Sequence, residues 1–382
     1  MIVAVKRFLG VSARAAIALV GAAMVLAAPV SAATVDVTEE LPDYDHHSRL
    51  SFAAATGESN RVTLALTAEK DGYLTLEVKD AGSPLSAGTG CSGGGALGQP
   101  AFCRLHEVVA HELCIKGCPP PQYGENWRVS MVFALGDGNN SLLASDLTPQ
   151  TPVPMVVTSG PGNDQISTAA GDDSVDPGAG ADVVETGIGN DRVEATFVPD
   201  GPDFYDLGEN TSESREVDKL SYDNRLAPVT IQSGEGGAEG EGDELRGVET
   251  LVGGSGNDRL VGDGGIRRLE GGDGADVLIG GKGRSRILGG ADGDLLVGGP
   301  QRDELRESSR DDSGDDVARG MGGGDLIVLG SGNDRAFSGR GDDRLQGGPG
   351  HDALGCGPGE GDTVIHPSTD ALRNCEWVIY NY

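Results

Sequence analysis

Gly253-Gly254-Ser255-Gly256-Asn257-Asp258-Arg259-Leu260-Val261 is followed eighteen residues on by Gly271-Gly272-Asp273-Gly274-Ala275-Asp276-Val277-Leu278-Ile279, and later by Gly347-Gly348-Pro349-Gly350-His351-Asp352-Ala353-Leu354-Gly355. Glycine holds the first, second and fourth places of each nonapeptide, aspartate the sixth and an aliphatic residue the eighth. The pattern spreads outward from these three. Aspartates stand nine residues apart at Asp164, Asp173, Asp182 and Asp191; after an interruption the register resumes at Asp258, Asp276, Asp294 and Asp303. It shifts by four residues and closes with Asp316, Asp325, Asp334, Asp343 and Asp352. Fifteen repeats can be written, thirteen with aspartate at the sixth place. The eighth place is apolar in all fifteen: Ile166, Val175, Val184, Val193, Leu260, Leu269, Leu278, Ile287, Leu296, Leu305, Ala318, Ile327, Ala336, Leu345 and Leu354. A chain that is 37% hydrophobic would do this by chance on the order of once in several million trials.

Each letter has a physical reason. Six residues of turn and three of strand make half a coil, so two repeats close one flattened rung. Glycines permit the left-handed backbone of the turn and let rungs stack without side-chain clashes. The single inward aliphatic of each strand packs against its equivalents above, below and opposite, giving a thin continuous core. Rungs stacked about 4.8 Å apart bring successive carboxylates close enough to share one calcium ion, which takes oxygens at about 2.3–2.6 Å. A flexible Asp/Gly-rich linker would need no apolar residue at every ninth position. The expected fold is therefore all-β, a parallel β-roll.

These nonapeptides resemble the hemolysin-type (RTX) calcium-binding repeat family, over roughly residues 160–375. The resemblance implies a parallel β-roll with Ca2+ in its turns, and the thirteen sixth-place aspartates as ligands. Toxins and proteases of that family carry a C-terminal export signal, whereas this chain opens with a general secretory signal. The closing stretch from Cys356-Gly357-Pro358-Gly359 to Cys375-Glu376 instead resembles short secreted bacterial repeat proteins without a catalytic domain.

Two repeats break the rule. Arg267 and Ser285 stand at sixth places and, being eighteen residues apart, stack on one edge. That edge reads Arg267, Ser285, Asp303, and the opposite one Asp258, Asp276, Asp294, Asp312. Arg268, Lys282, Arg284 and Arg286 surround the gap: either a guanidinium bonded to turn carbonyls or to Asp303 replaces the missing cation, or a dispensable site has simply decayed.

The rest of the chain divides around the roll. Lys6, Arg7 and Arg14, an uncharged stretch at 15–28 and Val30-Ser31-Ala32 read as a signal peptide over 1–32, so the mature chain should be secreted, with no membrane insertion. Residues 33–150 read as an N-terminal β-module. Val62, Leu64 and Leu66, then Leu74, Leu76 and Val78, then Val129, Met131, Phe133 and Leu135 alternate with polar residues. Gly136-Asp137-Gly138-Asn139-Asn140-Ser141-Leu142 is a degenerate repeat with asparagine at the ligand place. A first roll section at 151–194 is followed by a loop and hairpin elaboration at 195–250, beside the roll. There Leu220-Ser221-Tyr222 and Pro228–Ile231 make short strands, and Glu235, Glu241 and Asp243 form an acidic loop that is solvated or holds one further cation. The second roll section covers 251–355. The cap, 356–382, contains Trp377, Ile379 and Tyr380 and is closed by Cys356–Cys375.

Six cysteines suit an oxidising destination. Cys91, Cys103, Cys114 and Cys118 pair as Cys91–Cys103 and Cys114–Cys118, or else Cys103, His106, His111, Cys114 and Cys118 bind zinc. His106-Glu107-Val108-Val109-Ala110-His111 is not a metalloprotease helix, because its histidines are five apart where one helical face requires four. A serine nucleophile motif and a phosphate loop are missing, so no enzyme is expected, with a hydrolase or protease hidden in 33–150 as the outlying reading. With 60 acidic against 29 basic residues and a net charge of −31, nucleic acid would be repelled. The function read from sequence is a secreted calcium-binding structural or surface protein that folds on Ca2+. The alternative is an adhesin or carbohydrate-binding module for an extracellular glycan or cell-surface component, its platform built from Tyr44, Tyr123, Trp127, Phe204 and Tyr205.

Overall fold

A computed structural model describes residues 32–40, 45–54, 59–70, 73–89, 91–106, 126–144, 153–208, 217–232, 234–239, 241–262, 265–307, 314–359, 361–366 and 370–380. Residues 1–31, which hold nearly all of the expected signal peptide, lie outside them with His111, Cys114 and Cys118, as do Tyr44 and Tyr123 and the side chains of His106 and Trp127. The described chain is all-β, and none of its segments is a helix long and apolar enough to cross a membrane.

The repeats coil into two facing parallel sheets. In one, Arg268–Asp273 pairs in turn with Arg286–Ala291, Glu304–Arg306, Leu326–Val328 and Arg344–Gln346. In the other, Arg259–Val261, Val277–Ile279, Leu295–Val297, Val317–Gly322, Arg335–Arg340 and Ala353–Gly355 follow one another. Partner residues stand eighteen apart wherever no turn is lengthened, as with Leu269 and Ile287, so two nonapeptides make one rung. All fifteen eighth-place residues are at most 1% exposed and belong to one core that runs from Ala33 to Val364. Glycine is indispensable where turns stack: Gly290 has φ +142°, and a Cβ there would lie 1.8 Å from the Gly272 carbonyl oxygen.

Residues 195–250 are built differently from expectation. They form rungs within the roll. Lys219–Ser221 pairs with Arg192–Glu194 and with Thr250–Val252 in one sheet, and Phe204–Asp206 pairs with Val183–Glu185 and Asp243–Arg246 in the other. Glu235–Gly237 then runs antiparallel between Asp243–Arg246 and Thr230–Gln232, and the latter rejoins the parallel series at Arg259–Val261. Longer turns carry the extra residues, while Tyr205, Leu220, Ile231 and Leu251 fill inward places and are fully buried.

The N-terminal strands extend both sheets. Met155–Ser159 pairs parallel with Asn126–Gly136, which pairs parallel with Asp45–Ala53; Gln165–Ser167 pairs with Ser141–Leu143, and that with Arg61–Lys70. Further out, Pro84–Ala87, Cys91–Leu97 and Ala101–His106 pair in succession and join one sheet to the other. Among the described residues this end therefore has no free strand edge, which removes an aggregation template. Cys91–Cys103 bonds two partner positions across the seam. At the far end Cys356–Cys375 ties a buried turn to the last described rung, where Trp377 and Ile379 are 64% and 48% exposed.

Candidate metal centre

The thirteen sixth-place aspartates line the two turn edges, and none is more than 2% exposed. Each edge is a ladder in which a backbone N–H donates to the carboxylate of the next rung. On one edge the Asp164 N–H donates to Asp182 Oδ1 (2.8 Å), Asp258 to Asp276 (2.7 Å), Asp276 to Asp294 (2.8 Å), Asp294 to Asp316 (2.9 Å), Asp316 to Asp334 (2.9 Å) and Asp334 to Asp352 (3.0 Å). On the other, Asp173 donates to Asp191 (2.9 Å), Asp303 to Asp325 (2.8 Å) and Asp325 to Asp343 (2.7 Å). Asp316 takes the place that the sequence assigned to Asp312, which lies outside the described residues.

The ladders run beyond the regular repeat. Asp203, Asp243 and Asp370 join the first edge, and Asp218, Glu249, Asp362 and Glu376 the second. Asn140 heads the first, donating its N–H to Asp164 Oδ1 at 2.6 Å. Of these seven carboxylates, sequence reasoning named Asp243 only as part of an acidic loop and missed the other six, because turns of other lengths break the ninefold count. A signal was there: each stands two residues before an apolar residue, Tyr205, Leu220, Leu245, Leu251, Val364, Leu372 or Val378.

One oxygen per carboxylate is thus given to the backbone. The second oxygen of Asp182, Asp276, Asp325, Asp343, Asp352 and Asp362 is buried, with no hydrogen-bond partner among the described residues. Burial, reinforced by neighbouring carboxylates, pushes the Asp182 carboxyl up to about 8 and those of Asp276 and Asp325 to about 7. Such groups need a proton or a cation. A Cβ at Gly271 would stand 2.1 Å from Asp276 Oδ2 and 2.6 Å from the Gly289 carbonyl oxygen, so a carboxylate and a turn carbonyl converge on one space. An all-oxygen donor set fits calcium and suits zinc poorly. The sequence also gave no sign of Glu307, which stands where a turn glycine is expected. It brings its carboxylate oxygen within 4.8 Å of those of Asp294 and Asp316, all three residues being buried.

The interruption satisfies its second oxygens internally. Tyr205 Oη donates to Asp203 Oδ2 (2.6 Å) and Tyr222 Oη to Asp243 Oδ2 (2.9 Å). Arg225, fully buried, lies 4.8 Å from the Tyr222 ring centroid, donates to the Thr196 carbonyl and is paired with Glu241. Glu241 and Asp243, expected in an acidic loop, are therefore buried members of this network, while Glu235 is exposed. Tyr205 is buried and Phe204 half-buried beneath Arg246, so neither offers a free aromatic platform. At the two rule-breaking repeats, Asp303 accepts backbone N–H groups from Ser285 (2.6 Å) and Gly299 (2.5 Å). No guanidinium pairs with it among the described residues; Arg267, Arg284 and Arg286 are exposed.

No curated protein matches the chain. The family model described as RTX calcium-binding nonapeptide repeat (4 copies) matches residues 158–193, 246–265, 270–305, 310–336 and 330–354.

Proposed function

Since residues 158–354 carry RTX repeats, which bind calcium, we propose that the chain is a secreted protein whose β-roll folds as calcium fills its turns, in a structural or surface role. The thirteen sixth-place aspartates are the ligands in this reading, with Asp218, Glu249, Asp362, Asp370 and Glu376 extending the two files. One observation carries it: the buried second oxygens of Asp276 and Asp325, without a hydrogen-bond partner among the described residues, share a space with the Gly289 and Ser338 carbonyls. Without cations these carboxylates are desolvated and repel one another, so binding free energy becomes folding free energy. Two disulfides support an oxidising destination.

Circular dichroism of the purified chain titrated with calcium tests the proposal. In chelator, β structure should be largely confined to the N-terminal strands. It should grow with calcium, at site affinities of roughly 10⁻⁴–10⁻³ M, typical of extracellular modules. A spectrum unchanged between chelator and saturating calcium would overturn the folding claim.

A further inference from the structure

The edge that lacks carboxylates at two successive rungs opens a cleft. A cavity of about 590 Å³ is lined there by Arg267, Arg268, Arg284, Arg286 and Arg302 together with Glu249, Asp303 and Glu304, so basic groups outnumber acidic ones five to three. Five of the 29 basic residues of a chain with net charge −31 thus converge on one place. The carboxylates nearby are already engaged. Asp303 accepts two backbone N–H groups, Glu249 accepts that of Asp218 at 3.0 Å, and Glu304 is bonded by Arg306. Arg268 is bonded to Glu270. Arg267, Arg284 and Arg302 are exposed and form no ion pair among the described residues. The arginines also repeat with the rungs. Arg268 and Arg286 are register partners, and Arg284 and Arg302 stand eighteen residues apart, so guanidinium groups recur about every 4.8 Å along the roll.

A cleft of this kind repels cations and recognises planar or tetrahedral oxyanions, to which a guanidinium donates two parallel hydrogen bonds. Its volume lies within the usual range of small-ligand sites, about 300–1,000 Å³. Among the described residues no aromatic side chain lines it, so the bases of a nucleic acid would find nothing to stack on. A long polyanion would also meet the acidic remainder of the molecule. Anionic groups borne on successive units of a short chain, each about as long as one rung is thick, match the spacing best. We propose that this cleft binds a short acidic glycan, its carboxylate or sulfate groups held by Arg267, Arg284 and Arg302. The proposal rests on the calcium-folded roll, whose rungs set the spacing of the arginines.

Fluorescence anisotropy of labelled oligomers, with the full chain in saturating calcium, tests it. An oligogalacturonate or a sulfated dextran oligomer should bind, and the comparison tells carboxylate from sulfate recognition. A neutral malto-oligosaccharide and inorganic phosphate should not compete. The double variant Arg284→Gln with Arg302→Gln should bind at least about tenfold more weakly with an unchanged circular dichroism spectrum. Arg259→Gln with Arg335→Gln, an equal loss of charge on the opposite sheet, should leave binding intact. The proposal is overturned if neither acidic oligomer binds the folded chain, if the first double variant keeps its affinity, if the second loses as much, or if phosphate competes equally well. A spectrum indifferent to calcium would strike only the folding reading, because the titration would still report on folded chain.

Discussion

Asp276 has two oxygens with separate tasks. Oδ1 accepts the Asp258 N–H at 2.7 Å, and Oδ2 is buried beside a turn carbonyl. Substitution can part the two. Asp276→Asn keeps an acceptor for the ladder and removes the buried charge, so the calcium-free chain should melt at the same temperature or higher, while stabilisation by calcium shrinks. Asp276→Ala orphans the Asp258 N–H as well and should lose about 1–3 kcal/mol with or without calcium. Thermal melts of both variants in chelator and in calcium decide the matter; identical behaviour of Asn and Ala would refute the ligand role. At this scale the sequence was a good guide for the repeat itself, because a nine-residue period fixes both the inward aliphatic and the aspartate two places before it. It was a poor guide to Asp203, Asp218 or Asp362, which keep the local D-x-apolar relation but lose the period. The basic cluster beside Arg267 differs for another reason: one of its guanidinium groups was expected to bond turn carbonyls or Asp303, yet Ser285 and Gly299 supply backbone donors to Asp303, and solvent is the better place for a guanidinium.

Strands of three residues cannot stand alone, and each of these is held by its two neighbours in the stack. Elements are therefore interchangeable so long as the middle residue is apolar and points inward, which is why 195–250 could be drawn into the roll. Its large inward residues, Tyr205 and Tyr222, and its irregular spacing concealed this; the polar network they enter is formed by residues distant in sequence, such as Thr196 and Glu241 around Arg225. Here a side chain does the work assigned to calcium elsewhere. Arg225→Met would leave Glu241 charged and buried, a loss of about 3–5 kcal/mol. Its melting temperature should fall similarly in chelator and in calcium, unlike that of a ligand variant. The further change Glu241→Met should restore most of it, and an Arg225→Met chain that melts like the parent would remove the network from any structural role.

Across the whole molecule the buried carboxylates act together on the response to pH. In the calcium-free chain, burial and mutual repulsion raise Asp182 to about 8, Asp173, Asp203, Asp276 and Asp325 to about 7, and Asp243 to about 6. The unfolded value is near 3.9. A raised folded pKa means that the folded state binds protons more tightly, so this contribution is fully present below about pH 4 and is lost as pH climbs through 6 to 8. Protein stripped of calcium should thus keep more β structure at pH 5 than at pH 8, and calcium should bind more weakly at pH 5, where it must displace protons. Circular dichroism across that range checks both; a calcium-free chain better folded at pH 8 would contradict the assignment. The ladder that imposes this behaviour also has a property of counting. Its hydrogen bonds persist across separations of 18, 19, 21, 22, 27 and 40 residues, because surplus chain leaves and re-enters through a turn without disturbing the strand that follows. The roll is consequently a rack: foreign segments can be hung from its turns with only a slowly growing entropic penalty, while one residue added within a strand would reverse the inward and outward side chains that follow it in that strand.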